Sequence, residues 1–226
     1  MKSGLKIDIG CGNNKRKGFI GIDYVANSCV DYVLDLSHEP LPFEDRSVCH
    51  VYSSHFLEHI PAPNHIFQEI GRVCCDGAKI EIYTPYAFSN EAFLYGHVAY
   101  LTEEIWIHFC YSNRDVHIGI LKGRWILKNI NYVISEETHN EIEKAGFSIE
   151  FAIKYFKSVI LEFKVDIEYW IDLATPATLG TRTYSYSRTG KRFALGNIAD
   201  ARLHTAMSNN LLDKFYRFKR KLSTIV

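Results

Sequence analysis

The stretch "KIDIGCGNNKRKGFIGIDY", residues 6–24, decides the fold. Two apolar runs, residues 5–9 and 19–23, are flanked by glycines and predict two short buried strands. Only ten residues separate Ile9 from Ile20, whereas neighbouring parallel strands normally need a crossover of about a dozen residues or more. The connection is therefore predicted to be a loop with at most a turn or two of helix.

Glycines in this loop favour a ligand that approaches the backbone closely. Gly10 and Gly12 follow the first strand directly, and a side chain there would occupy the ligand's place. A dinucleotide fingerprint would need a third glycine where Lys15 stands, and an acidic residue about 20 positions on. Asp23 comes only 11 residues after Gly12. The pattern favours a nucleoside whose ribose binds a carboxylate, without a pyrophosphate; an ordinary tight turn is the plain alternative.

Predicted strands and helices alternate after this stretch, which is typical of a parallel α/β sheet. Further strands are predicted at residues 30–36, 47–54 and 78–86. Between the last two, apolar residues at helical spacing follow Pro63 and predict a helix that stops at Gly77.

The C-terminal part predicts a further helix and a hairpin. Ser135 is placed to cap the start of this helix, and Gly146 to end it. Alternating apolar runs at residues 147–156 and 158–165, separated by one residue or two, predict an antiparallel pair. The aromatic-rich and histidine-rich interval before this helix lacks clear periodicity, and we expect it to lie over the strand ends.

Composition predicts a single domain, residues 1–226, with a substrate-lid insertion at 86–134 and a basic C-terminal extension at 166–226. Residues 176–226 hold ten Lys and Arg against two Asp, whereas the first 175 residues hold 16 basic and 24 acidic side chains. This asymmetry favours an anionic partner or intramolecular docking. The six scattered cysteines form no C-x-x-C pair, and no secretory signal or membrane-spanning run is evident, so we expect a cytoplasmic protein.

Several motifs together resemble the class I S-adenosylmethionine-dependent methyltransferases, most closely a type 11-like subgroup with a short first crossover. These motifs are "DIGCG", "GIDY", "PLPFEDRSVCHVYSSHFLEHI", "EIGRV", "TPY" and "AGF", spread over residues 5–86 and 135–165. The resemblance implies an α/β, Rossmann-like sheet of seven strands in the order 3-2-1-4-5-7-6 with strand 7 antiparallel, which agrees with the predicted hairpin. It also implies S-adenosylmethionine as the cofactor and methyl transfer as the activity.

The same resemblance implies which residues bind the cofactor. They are Asp8, Gly10, Cys11, Gly12, Asp23, Tyr24, Asp35, Leu36, Ser53 and Ser54. The glycine motif would line the methionine moiety, Asp23 the ribose, and Asp35 with Leu36 the adenine ring. Ser53 and Ser54 would face the reacting sulfur. The plain alternatives are a surface carboxylate for Asp23 and a loop cap for Asp35.

Histidines are the candidate catalytic residues. Methyl transfer from a sulfonium is an in-line displacement, so the protein mainly aligns the acceptor and excludes water. A hydroxyl acceptor must also lose its proton, and histidine suits that task. His55 is the first candidate and His59 the second. Alternatively, His55 fixes its loop by a hydrogen bond and His59 packs at the start of a helix.

No metal is predicted, although one cluster offers an alternative. His55, Glu58 and His59 resemble the E-x-x-E-H cluster of metal-dependent members that act on RNA ends or quinone precursors. A fourth ligand could come from His97 or His108 in the insertion.

The predicted acceptor is an oxygen of a saccharide or other small polar metabolite. This rests on the aromatic insertion and on the subgroup's resemblance to proteins of surface-polysaccharide pathways. The basic extension suggests a lipid-linked saccharide and peripheral membrane contact, while nucleic acid is not the expected partner. An RNA-directed enzyme and a non-catalytic cofactor-binding partner protein are the alternatives.

Overall fold

The computed structural model describes residues 4–187, which form a mixed sheet with helices on its faces. Within this range the sheet has eight strands in the order β3-β2-β1-β4-β5-β7-β6-β8. They are β1 (Leu5–Ile9), β2 (Ile20–Asp23), β3 (Tyr32–Val33), β4 (Val48–Ser54), β5 (Cys74–Pro85), β6 (Arg124–Ser135), β7 (Ile160–Trp170) and β8 (Thr181–Ser187).

The strand directions confirm the predicted sheet. Strands β1 to β5 pair in parallel, and β7 runs antiparallel to both β5 and β6. The predicted order 3-2-1-4-5-7-6 is therefore correct, and β8 adds an eighth strand parallel to β6. In β1 the consecutive residues Ile7, Asp8 and Ile9 are all buried, which requires cover on both faces of the sheet.

Five α-helices lie within residues 4–187. They are α1 (Asn64–Val73), α2 (Glu103–Ile107), α3 (Ile118–Leu121), α4 (Glu136–Lys144) and α5 (Ile149–Tyr155). Helix α1 buries Ile66, Phe67 and Ile70 against the sheet. It ends at Val73 rather than near Gly77 as predicted, because β5 already begins at Cys74. No helix in the described range is long and apolar enough to cross a membrane.

The first half of the predicted hairpin is wrong. Residues 149–155 are α5, not a strand, because the Ser148 side chain accepts a hydrogen bond from the Phe151 N–H at 3.2 Å and caps a helix. Ala152 is then fully buried, one helical turn after the cap. The antiparallel partner of β7 is β6, and α4 and α5 connect the two strands.

The predicted boundaries of the insertion and extension also need correction. Strand β6 falls inside the range 86–134 that was predicted to lie outside the sheet, and Trp125, Leu127 and Ile130 on it are buried in the core. Likewise, the first five residues of the predicted extension complete β7. The non-sheet insertion is thus residues 86–123, and residues 188–226 of the basic extension lie outside the described residues.

Candidate active site

A cavity of about 330 Å³ opens at the carboxyl ends of β1 and β4. Its lining residues are Asp8, Gly10, Cys11, Gly12, Asn13, Asn14, Tyr52, Ser54 and His55. Open α/β sheets bind ligands in the crevice outside the carboxyl ends of their strands, and this volume is within the range of small-molecule sites. We call it the glycine-turn cavity.

The two glycines of this cavity serve different purposes. Both have positive φ angles, +69° at Gly10 and +51° at Gly12. A Cβ atom on Gly10 would lie 2.5 Å from the Phe56 side chain, so this glycine permits close packing. A Cβ atom on Gly12 would meet nothing within 4 Å, so Gly12 keeps the cavity open.

Arg16 anchors the connection from β1 to β2, which contains turns and no helix. Its backbone N–H donates to Asp8 Oδ2 at 2.7 Å. Its guanidinium lies 3.1 Å from Glu81 Oε2, and 4.5 Å from the centre of the Tyr52 ring. Side-chain contacts thus hold the short connection in place, and the prediction of a nearly helix-free crossover is correct.

Carboxylates give the glycine-turn cavity a negative character. Asp8 is only 2% exposed, and burial raises its pKa although Arg16 opposes that rise. Asp23 accepts the Gly12 N–H at 2.8 Å through Oδ2 and the Val25 N–H at 3.0 Å through Oδ1. Burial, then Asp8 and Asp23, raise the pKa of the Cys11 thiol to about 11, so the thiol stays neutral.

The predicted cofactor residues divide into three groups by position. Asp8, Gly10, Cys11, Gly12 and Ser54 line the cavity. Asp23 reaches the rim through its bond to Gly12, while Tyr24 is 71% exposed and does not line the cavity.

Ser53, Asp35 and Leu36 do not line the cavity either. The side chain and N–H of Ser37 both donate to Asp35 Oδ1 and hold the pKa of Asp35 below its usual range. Asp35 thus has hydrogen-bond donors within its own loop, and Leu36 lies in the core.

Tyr52 is a cavity residue that the sequence prediction missed. It lies two residues before Ser54 on β4, and alternate residues of a strand face the same side. The intervening Ser53 is 3% exposed and faces the opposite side of the sheet. Extending the strand's alternation back from Ser54 would have identified Tyr52.

His55 is held between two carboxylates. Its Nε2 lies 2.6 Å from Glu162 Oε2 on β7, and its Nδ1 lies 3.2 Å from Glu58 Oε1. Burial lowers the pKa of His55, but Glu162 and Glu58 outweigh it and raise the pKa to about 9. The backbone, with a positive φ of 55°, donates its N–H to the Tyr83 carbonyl at 3.0 Å. Both ring nitrogens thus face acidic groups.

His59 meets the insertion rather than the glycine-turn cavity. Its Nδ1 lies 3.0 Å from the Gly96 carbonyl oxygen, and its ring packs edge-on against His97 with 4.8 Å between ring centres. His97, Glu58 and His59 each offer a potential metal-ligand atom, and these atoms lie within 4.8 Å of one another. Of the two insertion histidines considered from the sequence, the structure brings His97 here, and His108 packs against His117 instead.

A second, larger cavity of about 580 Å³ lies beside the same loop, and we call it the apolar cavity. Its lining residues are Leu57, Pro63, Asn64, Phe67, Ala99, Tyr100, Leu101, Glu104, Ile105, Trp106, His108, Phe109 and Ser112. Phe67 and Trp106 are buried, with 6.1 Å between ring centres, so part of the wall belongs to the core. The insertion supplies nine of the thirteen lining residues.

Comparisons with known proteins agree with this fold. A family model described as a methyltransferase domain matches residues 7–82. No curated protein matches the chain. A solved S-adenosylmethionine-dependent methyltransferase from Archaeoglobus fulgidus is 17% identical, with a TM-score of 0.50 over 74% of this chain and 87% of that one.

Two further solved structures are similar at lower TM-scores. An S-adenosylmethionine-dependent methyltransferase from Methanosarcina mazei is 16% identical, with a TM-score of 0.45 over 76% of this chain and 95% of that one. A geranyl diphosphate C-methyltransferase from Streptomyces coelicolor A3(2), solved with Mg²⁺, geranyl diphosphate and S-adenosylhomocysteine, is 14% identical, with a TM-score of 0.42 over 74% and 71% of the two chains. Residues 7–82 thus match the methyltransferase-domain family, and the chain shares the fold of a solved S-adenosylmethionine-dependent methyltransferase.

Proposed function

We propose that this methyltransferase transfers the methyl group to an oxygen of a small molecule bound in the apolar cavity. The observation that carries the proposal is that one loop contributes to the walls of both cavities, because His55 lines one and Leu57 lines the other. Because consecutive Cα atoms are about 3.8 Å apart, the two Cα atoms are at most about 7.6 Å apart. A methyl donor and its acceptor must meet across such a boundary for an in-line displacement.

The glycine-turn cavity suits S-adenosylmethionine, which supplies a methyl group already activated on a sulfonium. The open space at Gly12 leaves room for the ligand, and the carboxylates of Asp8 and Asp23 favour a cationic one. The connection that follows has no helix, so it lacks the helix N-terminus that would favour a pyrophosphate. We propose that Asp23 binds the ribose hydroxyls at the rim and that Ser54 faces the methionine part.

The apolar cavity favours an acceptor with an apolar or aromatic ring. Nine of its thirteen lining residues are apolar or aromatic, and such surfaces bind ring faces well. The polar lining residues are Asn64, Glu104, His108 and Ser112. They can bind a few hydroxyl groups, which supports the predicted saccharide as the second candidate.

The two candidate histidines take different roles in this proposal. Both ring nitrogens of His55 face carboxylates, so we propose that His55 positions the wall of the glycine-turn cavity. His59 can donate its Nδ1–H to the Gly96 carbonyl. In that neutral tautomer the Nε2 atom keeps a lone pair that can accept a proton. We therefore propose that His59, through Nε2, is the candidate to interact with an acceptor hydroxyl. A cytoplasmic location, supported by six free cysteine thiols, completes the proposal.

The test is methyl transfer from labelled S-adenosylmethionine to two panels of acceptors, phenolic or alicyclic alcohols and free or lipid-linked sugars. We expect products in the first panel, identified by mass spectrometry. Tyr100→Ala should raise the acceptor KM by about tenfold or more, because stacking on an aromatic ring is lost.

Tyr95→Ala is the matched control, since Tyr95 is an exposed tyrosine of the same insertion that lines neither cavity. It should leave KM unchanged. Methylation of sugars alone would select the second candidate, and methylation of RNA alone would contradict both.

A further inference from the structure

Three potential ligands from two distant segments meet beside the boundary of the cavities. Glu58 and His59 are consecutive, and His97 comes from the insertion 38 residues after His59. One ligand atom of each lies within 4.8 Å of the other two. Ligand atoms around a four-coordinate zinc ion are about 3.4 Å apart, so a shift of roughly 1 Å would close the set around one ion.

Backbone hydrogen bonds hold the two segments together at this point. The Glu58 carbonyl oxygen accepts hydrogen bonds from the Val98 N–H at 2.8 Å and the Ala99 N–H at 3.1 Å. The carbonyl of Gly96 contacts His59 Nδ1 at 3.0 Å. The approach of His97 to Glu58 and His59 is therefore fixed by the main chain on both sides of His97.

The cluster contains buried ligand atoms without hydrogen-bond partners. The Glu58 side chain is 2% exposed; its Oε1 forms an ion pair with His55 Nδ1 at 3.2 Å, whereas its Oε2 has no hydrogen-bond partner among the described residues. The Nδ1 atom of His97 is buried without a partner in the same range. Burying such groups unpaired is costly, so their arrangement indicates a missing ligand. His59 contributes Nε2, because its Nδ1 can donate to Gly96.

We propose that Glu58, His59 and His97 bind one divalent cation. Two imidazoles and one carboxylate suit Zn²⁺ best, with Mn²⁺, Fe²⁺ and Co²⁺ as chemically related occupants. Three protein ligands leave a coordination position for water or substrate, as in catalytic rather than structural sites. The site differs from the cluster considered in the sequence, since His55 pairs with Glu162 and is not a ligand.

The position of the site gives the cation a role in catalysis, and this role, unlike metal binding itself, rests on the proposed function. Glu58 contacts His55 on the glycine-turn side, and its carbonyl binds Ala99, which lines the apolar cavity. Held by Glu58, His59 and His97, the cation would lower the pKa of an acceptor hydroxyl at its open position, and the proton would leave to solvent. The oxygen would then bond to the methyl carbon as the carbon–sulfur bond breaks, with that bond's electron pair left on sulfur in S-adenosylhomocysteine. With the cation bound, His59 acts as a ligand rather than as a base.

Equilibrium dialysis of the full chain against Zn²⁺, with the bound metal counted by plasma mass spectrometry, tests the proposal. We expect one equivalent of zinc, and a loss of affinity of about 100-fold or more in His97→Ala and in His59→Ala. The control is His139→Ala, because His139 faces Glu143 on α4 at 3.8 Å without a third ligand. It should bind zinc as the wild type does.

Glu58→Gln should also lose zinc, and urea unfolding will show whether this buried substitution still folds. If Glu58→Gln does not fold, the His59→Ala variant still tests the proposal, because His59 is exposed and its truncation should not prevent folding. Absence of stoichiometric zinc, or zinc binding that survives both histidine variants, would overturn the proposal. Binding of S-adenosylhomocysteine, measured separately in the presence of a chelator, reports on the methyltransferase site independently of the metal.

Discussion

The glycine-turn cavity and the apolar cavity lie on either side of one loop but are built by different means. The first is enclosed by two short stretches, residues 8–14 and 52–55, and depends on backbone conformation and carboxylates. The second is assembled from side chains of residues 57–67 and 99–112, several of which also belong to the core. Backbone substitutions should therefore damage the first cavity, and side-chain truncations the second.

Phe67→Ala should cause the largest effect, on the apolar side alone. Phe67 is 2% exposed and packs against Trp106, Phe109 and Trp125 with ring centres 5.5 to 6.1 Å apart. Truncating a buried phenylalanine costs about 3–5 kcal/mol. Urea unfolding should show this loss of stability. The affinity for S-adenosylhomocysteine should stay within about twofold of the wild-type value, because Phe67 and the glycine-turn cavity share no contacting residues.

Phe67→Leu is the milder control and should cost clearly less. A large loss of cofactor affinity in folded Phe67→Ala would mean that the two cavities are not independent.

Gly10→Ala should come next, on the glycine-turn side. The new methyl group would lie 2.5 Å from the Phe56 ring at a φ of +69°, so strain and overpacking together should cost about 2–4 kcal/mol. Gly12→Ala is the matched comparison, because its methyl group enters open space at a similar φ. It should cost only about 1–2 kcal/mol. Equal losses of stability in the two variants, measured in urea, would contradict the different purposes assigned to these glycines.

Acid should lower the stability of the protein near the glycine-turn cavity, because it protonates Glu81, the carboxylate that contacts Arg16. A hydrogen bond from His50, opposed by burial and assisted by Arg16, lowers the pKa of Glu81 from 4.5 to about 2. Because its pKa is lowered in the folded state, ionised Glu81 stabilises the fold above pH 4.5, and this stabilisation is lost as the pH falls towards 2. After allowance for solvent screening, this is about 1–2 kcal/mol.

Urea unfolding between pH 7 and 3 should therefore show a smaller acid-dependent loss in Glu81→Gln than in the wild type. Phe67→Ala should keep the wild-type pH dependence. Parallel pH curves for wild type and Glu81→Gln would show that Glu81 does not support the connection.

The same contrast explains what could be predicted from the sequence. The glycine-turn cavity is local, so glycines after a strand and an early Asp23 were sufficient to predict β1, β2 and the turn at Gly10 and Gly12. The lining residues Asp8, Cys11 and Ser54 were implied only by the family resemblance. The apolar cavity was not predictable, because distant segments form it. Its lining joins residues 57–67 to residues 99–112, and no spacing rule relates these two segments.

Helix α5 and strand β6 show a second limit. The run at residues 149–155 alternates in hydrophobicity like a strand, yet the Ser148 cap and the burial of Ala152 favour a helix. In β6 the alternation of Trp125, Leu127, Ile130 and Tyr132 was present but interrupted near Lys128, where the pairing register shifts. The local sequence pattern alone could not distinguish a helix from a strand at residues 149–155, or an interrupted strand from irregular chain in β6.

Calorimetric titration of S-adenosylhomocysteine tests the central claim, a cofactor site formed by a helix-free glycine turn and separate from the acceptor cavity. We predict micromolar binding to the wild type, unchanged binding to Tyr100→Ala, and a loss of about tenfold or more in Gly12→Ala, whose methyl group would take space at the cavity lining that the ligand needs. Wild-type binding weaker than millimolar, or equal affinity in wild type and Gly12→Ala, would contradict the claim.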